Sequence, residues 1–155
     1  DEDTINLVMR ASSTMPMLMP MAKIDGVPYV DGALGDDGGL LVGAAERAGF
    51  TKLLVLATKP RDYVREPVNR PAMIRRMFPK YPDVARRTIG RPDAYNKAKA
   101  RIDELAEQGN AYVFYPEQMM VENAEFKVPK LQKNFAAGKE QFDREWGAIK
   151  EFLEN

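Results

Sequence analysis

The 155-residue chain has no cysteine and no histidine. The first absence removes disulfides, thiolate metal sites and a cysteine nucleophile. The second removes imidazole as a base, as a metal ligand and as a member of a Ser-His-Asp triad. Serine is nearly missing as well: Ser12 and Ser13 are the only two, and they are adjacent. Acid–base work therefore falls to carboxylates, lysine or tyrosine. No apolar run approaches the ~18 residues that a membrane-spanning helix needs. Lys+Arg and Asp+Glu number 23 each, so the whole-chain charge is zero and selects no partner.

What remains is the composition of a soluble globular protein, 45% hydrophobic and 30% charged. The length suits one domain, or a piece of a larger one. The N-terminal Asp1-Glu2-Asp3-Thr4 is neither a signal peptide nor an initiator methionine. The expectation is a fragment, a processed product or a trimmed chain. There is no internal repeat and no low-complexity tract.

A short helix is expected from Thr4 to Ala11, with Ile5, Leu7, Val8 and Ala11 sharing a face. Pro16 and Pro20 then enforce irregular backbone through a methionine-rich segment, read as flexible core filler or as an adaptable wall for an acyl chain. Asp25-Gly26 between Ala22–Ile24 and Val27–Val30 is a strong hairpin signal, since both turn residues accept positive φ. A glycine-rich loop, Gly35 to Gly39, precedes a helix from Leu40 to Arg47 with Gly49 as its C-terminal stop. Near-continuous apolar runs predict buried strands at Lys52–Thr58 and Ala111–Tyr115. Helices are expected at Pro71–Phe78 and Val84–Ala106, the second interrupted around Gly90-Arg91-Pro92-Asp93. Residues 117–128 read as loop, with a short extended piece at Glu125–Val128. Pro129 opens a last helix to Leu153, in which Gly138 is a weak point. Strands alternating with helices indicate an α/β fold containing some parallel sheet.

One stretch points to chemistry. After Arg10-Ala11-Ser12-Ser13-Thr14-Met15-Pro16 comes Asp25-Gly26-Val27-Pro28-Tyr29-Val30-Asp31-Gly32-Ala33. Asp31 stands where a strand ends and the chain bends on Gly32, a place where side chains point into a crevice. In a chain without histidine it is the natural candidate for general base. Its alternative role is a turn or cap carboxylate.

These residues resemble the patatin-like phospholipase family, whose pattern is Arg-Ala-Ser-small-x-x-Pro followed by Asp-Gly-x-x-Tyr-x-Asp-Gly-Gly. The resemblance implies the C-terminal portion of a three-layer αβα sandwich over residues 1–116, with a basic helical section at 59–109. Residues 117–155 would be a loop and helical tail packed on it. It implies a lipid acyl hydrolase with a Ser-Asp dyad, in which Asp31 takes the proton of the nucleophile. Gly32, Ala33, Arg10 and Ser12 would be supporting motif residues. The Gly-x-Ser-x-Gly nucleophile and the oxyanion loop are absent, so the chain alone is expected to be inactive. The missing half would come from an N-terminal part of the same protein. An incomplete sheet should leave one edge exposed, through which copies could associate as a homo-oligomer. The rival expectation is a non-catalytic binding or regulatory module.

No metal and no organic cofactor is implied. Asp36 and Asp37 lack the six or more oxygens of a hard-cation site. Between Lys59 and Arg101 stand 13 Lys/Arg and 4 Asp/Glu. Arg75, Arg76, Arg86, Arg87, Arg91, Lys97, Lys99 and Arg101 either face acids of the C-terminal tail or form a cationic face for an anionic membrane surface. Arg10 is either a partner of the Asp-rich loop or a surface charge. Nucleic acid is not expected, since no reader motif is present. The location expected is cytoplasmic or peripheral to a membrane.

Overall fold

The computed structural model describes residues 2–122 and 125–155. Asp1, and Asn123 and Ala124 of the expected loop, lie outside the described residues. The elements run α1 (Glu2–Ser12), β1 (Ala22–Ile24), β2 (Val27–Tyr29), a 3-10 turn (Gly32–Leu34), α2 (Val42–Arg47), β3 (Leu53–Leu56), α3 (Pro71–Met77), α4 (Pro82–Glu107), β4 (Ala111–Phe114) and α5 (Val128–Glu154). Helix, with the 3-10 turn, makes up 53% of the described residues and strand 9%. Among the described residues the strands form two sheets of two strands each. This is a mixed α/β architecture, and the expected three-layer sandwich is not found among the described residues, whose strands are too short and too few to build its central sheet. No described helix is long and apolar enough to cross a membrane. The chain divides into two units, Asp1–Gly49 with Arg65–Arg101, and Phe50–Val64 with Ile102–Asn155.

In the first unit, α1 opens on Glu2 and Asp3 and closes on Arg10, charges that suit the helix dipole. Its end is tied off by Ser13 Oγ donating to the Met9 carbonyl (2.8 Å) and Thr14 Oγ1 to the Arg10 carbonyl (2.7 Å). Strands β1 and β2 pair antiparallel, Ala22 opposite Tyr29 and Ile24 opposite Val27. Asp25 (φ 50) and Gly26 (φ 80) make the turn, the conformation that the Asp-Gly pair foretold. The acids of the next loop have structural tasks. Asp37 Oδ2 accepts from the amides of Gly43 (3.0 Å) and Ala44 (3.3 Å), capping α2 from a distance. Asp36 pairs with Arg87 at 2.8 Å.

Helix α4 runs unbroken through Pro92, against the expected interruption. Proline costs a helix interior ~3 kcal/mol. Here Ala85, Pro92, Tyr95, Ala98, Ile102 and Leu105 form one buried stripe at helical spacing. Burying a large apolar side chain yields ~1.5–3 kcal/mol, so the stripe outweighs one lost hydrogen bond. Three arginines of α4 are paired nearby: Arg86 with Asp83 (3.0 Å), Arg87 with Asp36 and Arg101 with Glu46 (2.7 Å). Those acids belong to the first unit, which corrects the expectation that tail acids neutralise these arginines.

In the second unit, β3 and β4 pair parallel, Leu53 opposite Ala111 and Leu56 opposite Phe114. Helix α5 stands on β4: Tyr112 meets Phe152 and Phe114 meets Phe142, with ring centroids 5.9 and 6.1 Å apart. Ile149 of α5 is fully buried. Strand β3 is less covered than its apolar run suggested, with Leu54 39% and Leu56 64% exposed. The reason is lateral. These side chains share a face with Tyr112 and Phe114, and the rings of α5 lie over β4. Helix α5 continues through Gly138, and Pro129 sits in its first turn.

Candidate active site

The Asp31 carboxylate is positioned by three short connections. Its own amide donates to the Thr14 carbonyl at 2.8 Å. Thr14 is completely buried and locked onto α1 by its hydroxyl, so the end of α1 anchors the exit from β2. Asp31 Oδ1 then accepts from the Ala33 amide at 2.8 Å, capping the 3-10 turn. The cap reading is therefore realised through one oxygen of the carboxylate.

Asp31 also lines a cavity of about 380 Å3 within the first unit. One wall is the methionine segment, Met15 to Leu18, and Leu34 and Val68 extend the apolar lining. Thr88, Arg91 and Pro92 contribute the α4 wall. Arg65 and Glu66 complete it. Arg65 is held by Asn96 of α4: Arg65 N–H donates to Asn96 Oδ1 (2.9 Å) and Asn96 Nδ2 donates to the Arg65 carbonyl (3.0 Å). The Arg65 guanidinium lies 4.8 Å from the Tyr95 ring centroid, a cation–π contact. Arg91 Nε reaches the Gly38 carbonyl at 3.4 Å.

The other motif residues fall around this point. Ser12 is exposed, and its Oγ lies 3.7 Å from where a Cβ on Gly32 would be. Ala33 packs toward Gly39, 3.1 Å from where a Cβ there would stand. Arg10 is exposed, and its carbonyl receives the Thr14 hydroxyl. Arg87, not Arg10, neutralises the Asp-rich loop: the guanidinium holds the Asp36 carboxyl below its ordinary range. Thr14, Arg65, Thr88 and Asn96 went unassigned in the sequence, and Arg91 was read there only as one of the basic helix residues. No local spacing links residues 65–96 to Asp31, since the link is tertiary. Among the described residues no group of His, Cys, Asp or Glu could hold a metal ion.

Residues 81–154 match the model of a family described as a domain of unknown function (DUF6363), just under half of the chain. No curated protein and no solved structure matches. The patatin-like resemblance is corrected by this result: the matching family is a different one, and no patatin-like family matches. The motifs that carried the resemblance are short turn sequences. Asp25-Gly26 is accounted for by the hairpin and Asp31-Gly32-Ala33 by the capped 3-10 turn.

Proposed function

We propose that the first unit contributes the proton acceptor and the acyl-chain wall of an ester-hydrolysing site. The observation that carries this is a carboxylate, Asp31, in the lining of a mostly apolar cavity. The methionine wall would take an acyl chain, since unbranched thioether side chains adapt to irregular apolar shapes. Arg91 and Arg65 would face the polar end of an ester. With Oδ1 engaged at Ala33, Oδ2 is the oxygen that would accept a proton from an attacking hydroxyl and later return it to the leaving group. The one hydroxyl side chain in the lining, Thr88, donates to the Val84 carbonyl at 2.7 Å. The nucleophile would therefore come from outside this lining.

The test is ester turnover by the natural protein that carries this chain. Asp31→Asn keeps an oxygen for the Ala33 amide and removes the base. Loss of such a base lowers turnover ~100- to 10,000-fold, with thermal unfolding unchanged. Unaltered turnover would refute the role of Asp31.

The engaged Thr88 hydroxyl favours a second reading, an acyl-binding module without catalysis. That reading expects a fluorescent fatty acid to bind this chain and the natural protein to hydrolyse no ester. A membrane surface is supported separately by Arg75 and Arg76 on α3, exposed beside Met73 and Met77. Binding to anionic vesicles that fades with added salt would bear it out.

A further inference from the structure

The second unit holds a feature that ester chemistry does not use, the outward edge of β4. Leu53 N–H donates to the Asn110 carbonyl and Ala57 N–H to the Phe114 carbonyl. This register turns the backbone groups of residues 112 and 114 toward β3 and those of Ala111, Val113 and Tyr115 away from it. Among the described residues no strand pairs with that edge. At Tyr115 the edge is closed by a side chain: Gln141 Nε2 donates to the Tyr115 carbonyl (2.7 Å) and Gln141 Oε1 accepts from the Glu117 amide (3.0 Å). Among the described residues no strand pairs with the outward groups of Ala111, which is itself buried, and half-buried Val113. A cavity of about 640 Å3 is lined by Ala111, Tyr112 and Val113 together with Pro60, Arg61 and Asp62.

In this groove, which Arg61, Asp62, Glu117 and Glu145 line, the Glu145 carboxylate is held by neutral groups. Glu145 of α5 accepts from the Tyr112 hydroxyl at 2.8 Å and from Gln141 Nε2 at 2.7 Å. Both donors are neutral, and no cation pairs with Glu145 among the described residues. Glu117 is satisfied by Arg144 at 2.6 Å, and Arg61 lies over the Tyr115 ring. One carboxylate cannot assemble the six or more oxygens of a hard cation, so the matching ligand is an organic cation. Any strand laid against β4 places the side chain opposite Tyr112 on the same face as Tyr112, which is the face of Glu145.

We propose that this groove binds an extended peptide segment as a third strand beside β4, with a lysine or arginine side chain directed at Glu145. Main-chain hydrogen bonds to Ala111 and Val113 supply the pairing, and the carboxylate selects the basic residue. The pairing needs only the three residues from Ala111 to Val113, a reach of ~10 Å.

The probe is a blocked five-residue peptide of alternating valine and lysine, titrated calorimetrically into the 155-residue chain, with amide exchange followed by NMR. Binding should protect the amides of Ala111 and Val113. Replacing the lysines by glutamates, or changing Glu145→Gln in the protein, should weaken binding at least ~10-fold. Methylating the edge-facing peptide nitrogens should abolish it. If the Glu145→Gln variant fails to fold, the glutamate and methylated peptides test the same claim on the unaltered chain. No binding at millimolar peptide, equal binding of the glutamate peptide, protection elsewhere, or spermidine binding as tightly would each overturn the proposal.

Discussion

Gly38 supplies the sharpest test of how the first unit is assembled. It is buried with φ +61, and a Cβ added there would stand 2.5 Å from the Tyr95 nitrogen and 2.6 Å from the Tyr95 Cα. Both are main-chain atoms of α4, so no rotamer change relieves the contact. Gly38→Ala carries two costs. A left-handed conformation costs an L-residue ~1–2 kcal/mol, and forcing a methyl into occupied space costs ~1–3 kcal/mol. The sum is ~2–5 kcal/mol, a large part of the stability of an ordinary domain. Gly26 isolates the second cost. Its φ is +80 and nothing lies within 4 Å of a Cβ there, so Gly26→Ala carries the conformational cost alone. Urea unfolding of the two variants, with m unchanged, should therefore differ by ~1–3 kcal/mol. A second readout reaches the site. Arg91 of the cavity wall donates to the Gly38 carbonyl, so displacement of this loop should weaken binding of a fluorescent fatty acid, and Gly26→Ala should leave it intact. Equal destabilisation by the two substitutions would refute the close packing of loop on helix.

Gln141→Met keeps length and burial but removes one hydrogen bond each from the Tyr115 carbonyl, the Glu117 amide and the Glu145 carboxylate; at ~1 kcal/mol or more for each lost bond, urea unfolding should show a loss of ~2–4 kcal/mol. Burial, then the Glu145 hydrogen bond and charge, push the Tyr112 hydroxyl above its ordinary value of 10.0. A raised value in the fold means that the contribution to stability is complete below about pH 10 and is lost as pH rises through the folded value. Alkaline absorbance titration should find Tyr112 ionising late, and Glu145→Gln should bring it earlier. Asp36 is lowered by Arg87, so its contribution is present above its ordinary 3.8 and is lost as pH falls through the folded value. Unfolding measured from about pH 5 downward should show the wild type converging on Arg87→Gln.

Features with a local cause were legible before the structure. The hairpin followed from Asp25-Gly26, because the turn type demands two residues that accept positive φ. The start of α5 followed from Pro129. Features decided by neighbours were not. Pro92 reads as a break when its own missing N–H is considered, and it is carried through by a stripe of burial spread along α4. The run Leu53–Leu56 reads as buried, yet an apolar residue does not reveal whether anything lies over it, and Leu56 lies open. Asp31 was found by its place before Gly32. The cavity it lines needed residues 65–92 brought beside it, and no spacing in the chain encodes that.

Asn96 and Gln141 were also silent in the sequence, and together they explain how segments with little sheet are kept in order. Each primary amide offers one acceptor and two donor hydrogens, the same pair of functions that a neighbouring strand presents. Asn96 takes both the N–H and the carbonyl of Arg65. Gln141 takes the carbonyl of Tyr115 and, across Pro116, the N–H of Glu117. Arg65 belongs to a connection without regular structure, and Tyr115 lies just past the end of β4. A helix side chain thus stands in for a strand at both places. The substitution has a consequence for binding. An amide satisfies one short stretch of backbone, whereas a strand satisfies every second residue along its length. Gln141 therefore closes the β4 edge at Tyr115 and goes no further, and it presents its remaining Nε2 hydrogen to Glu145. The same side chain that ends the unpaired edge also positions the carboxylate beside it, so edge and charge form one recognition surface.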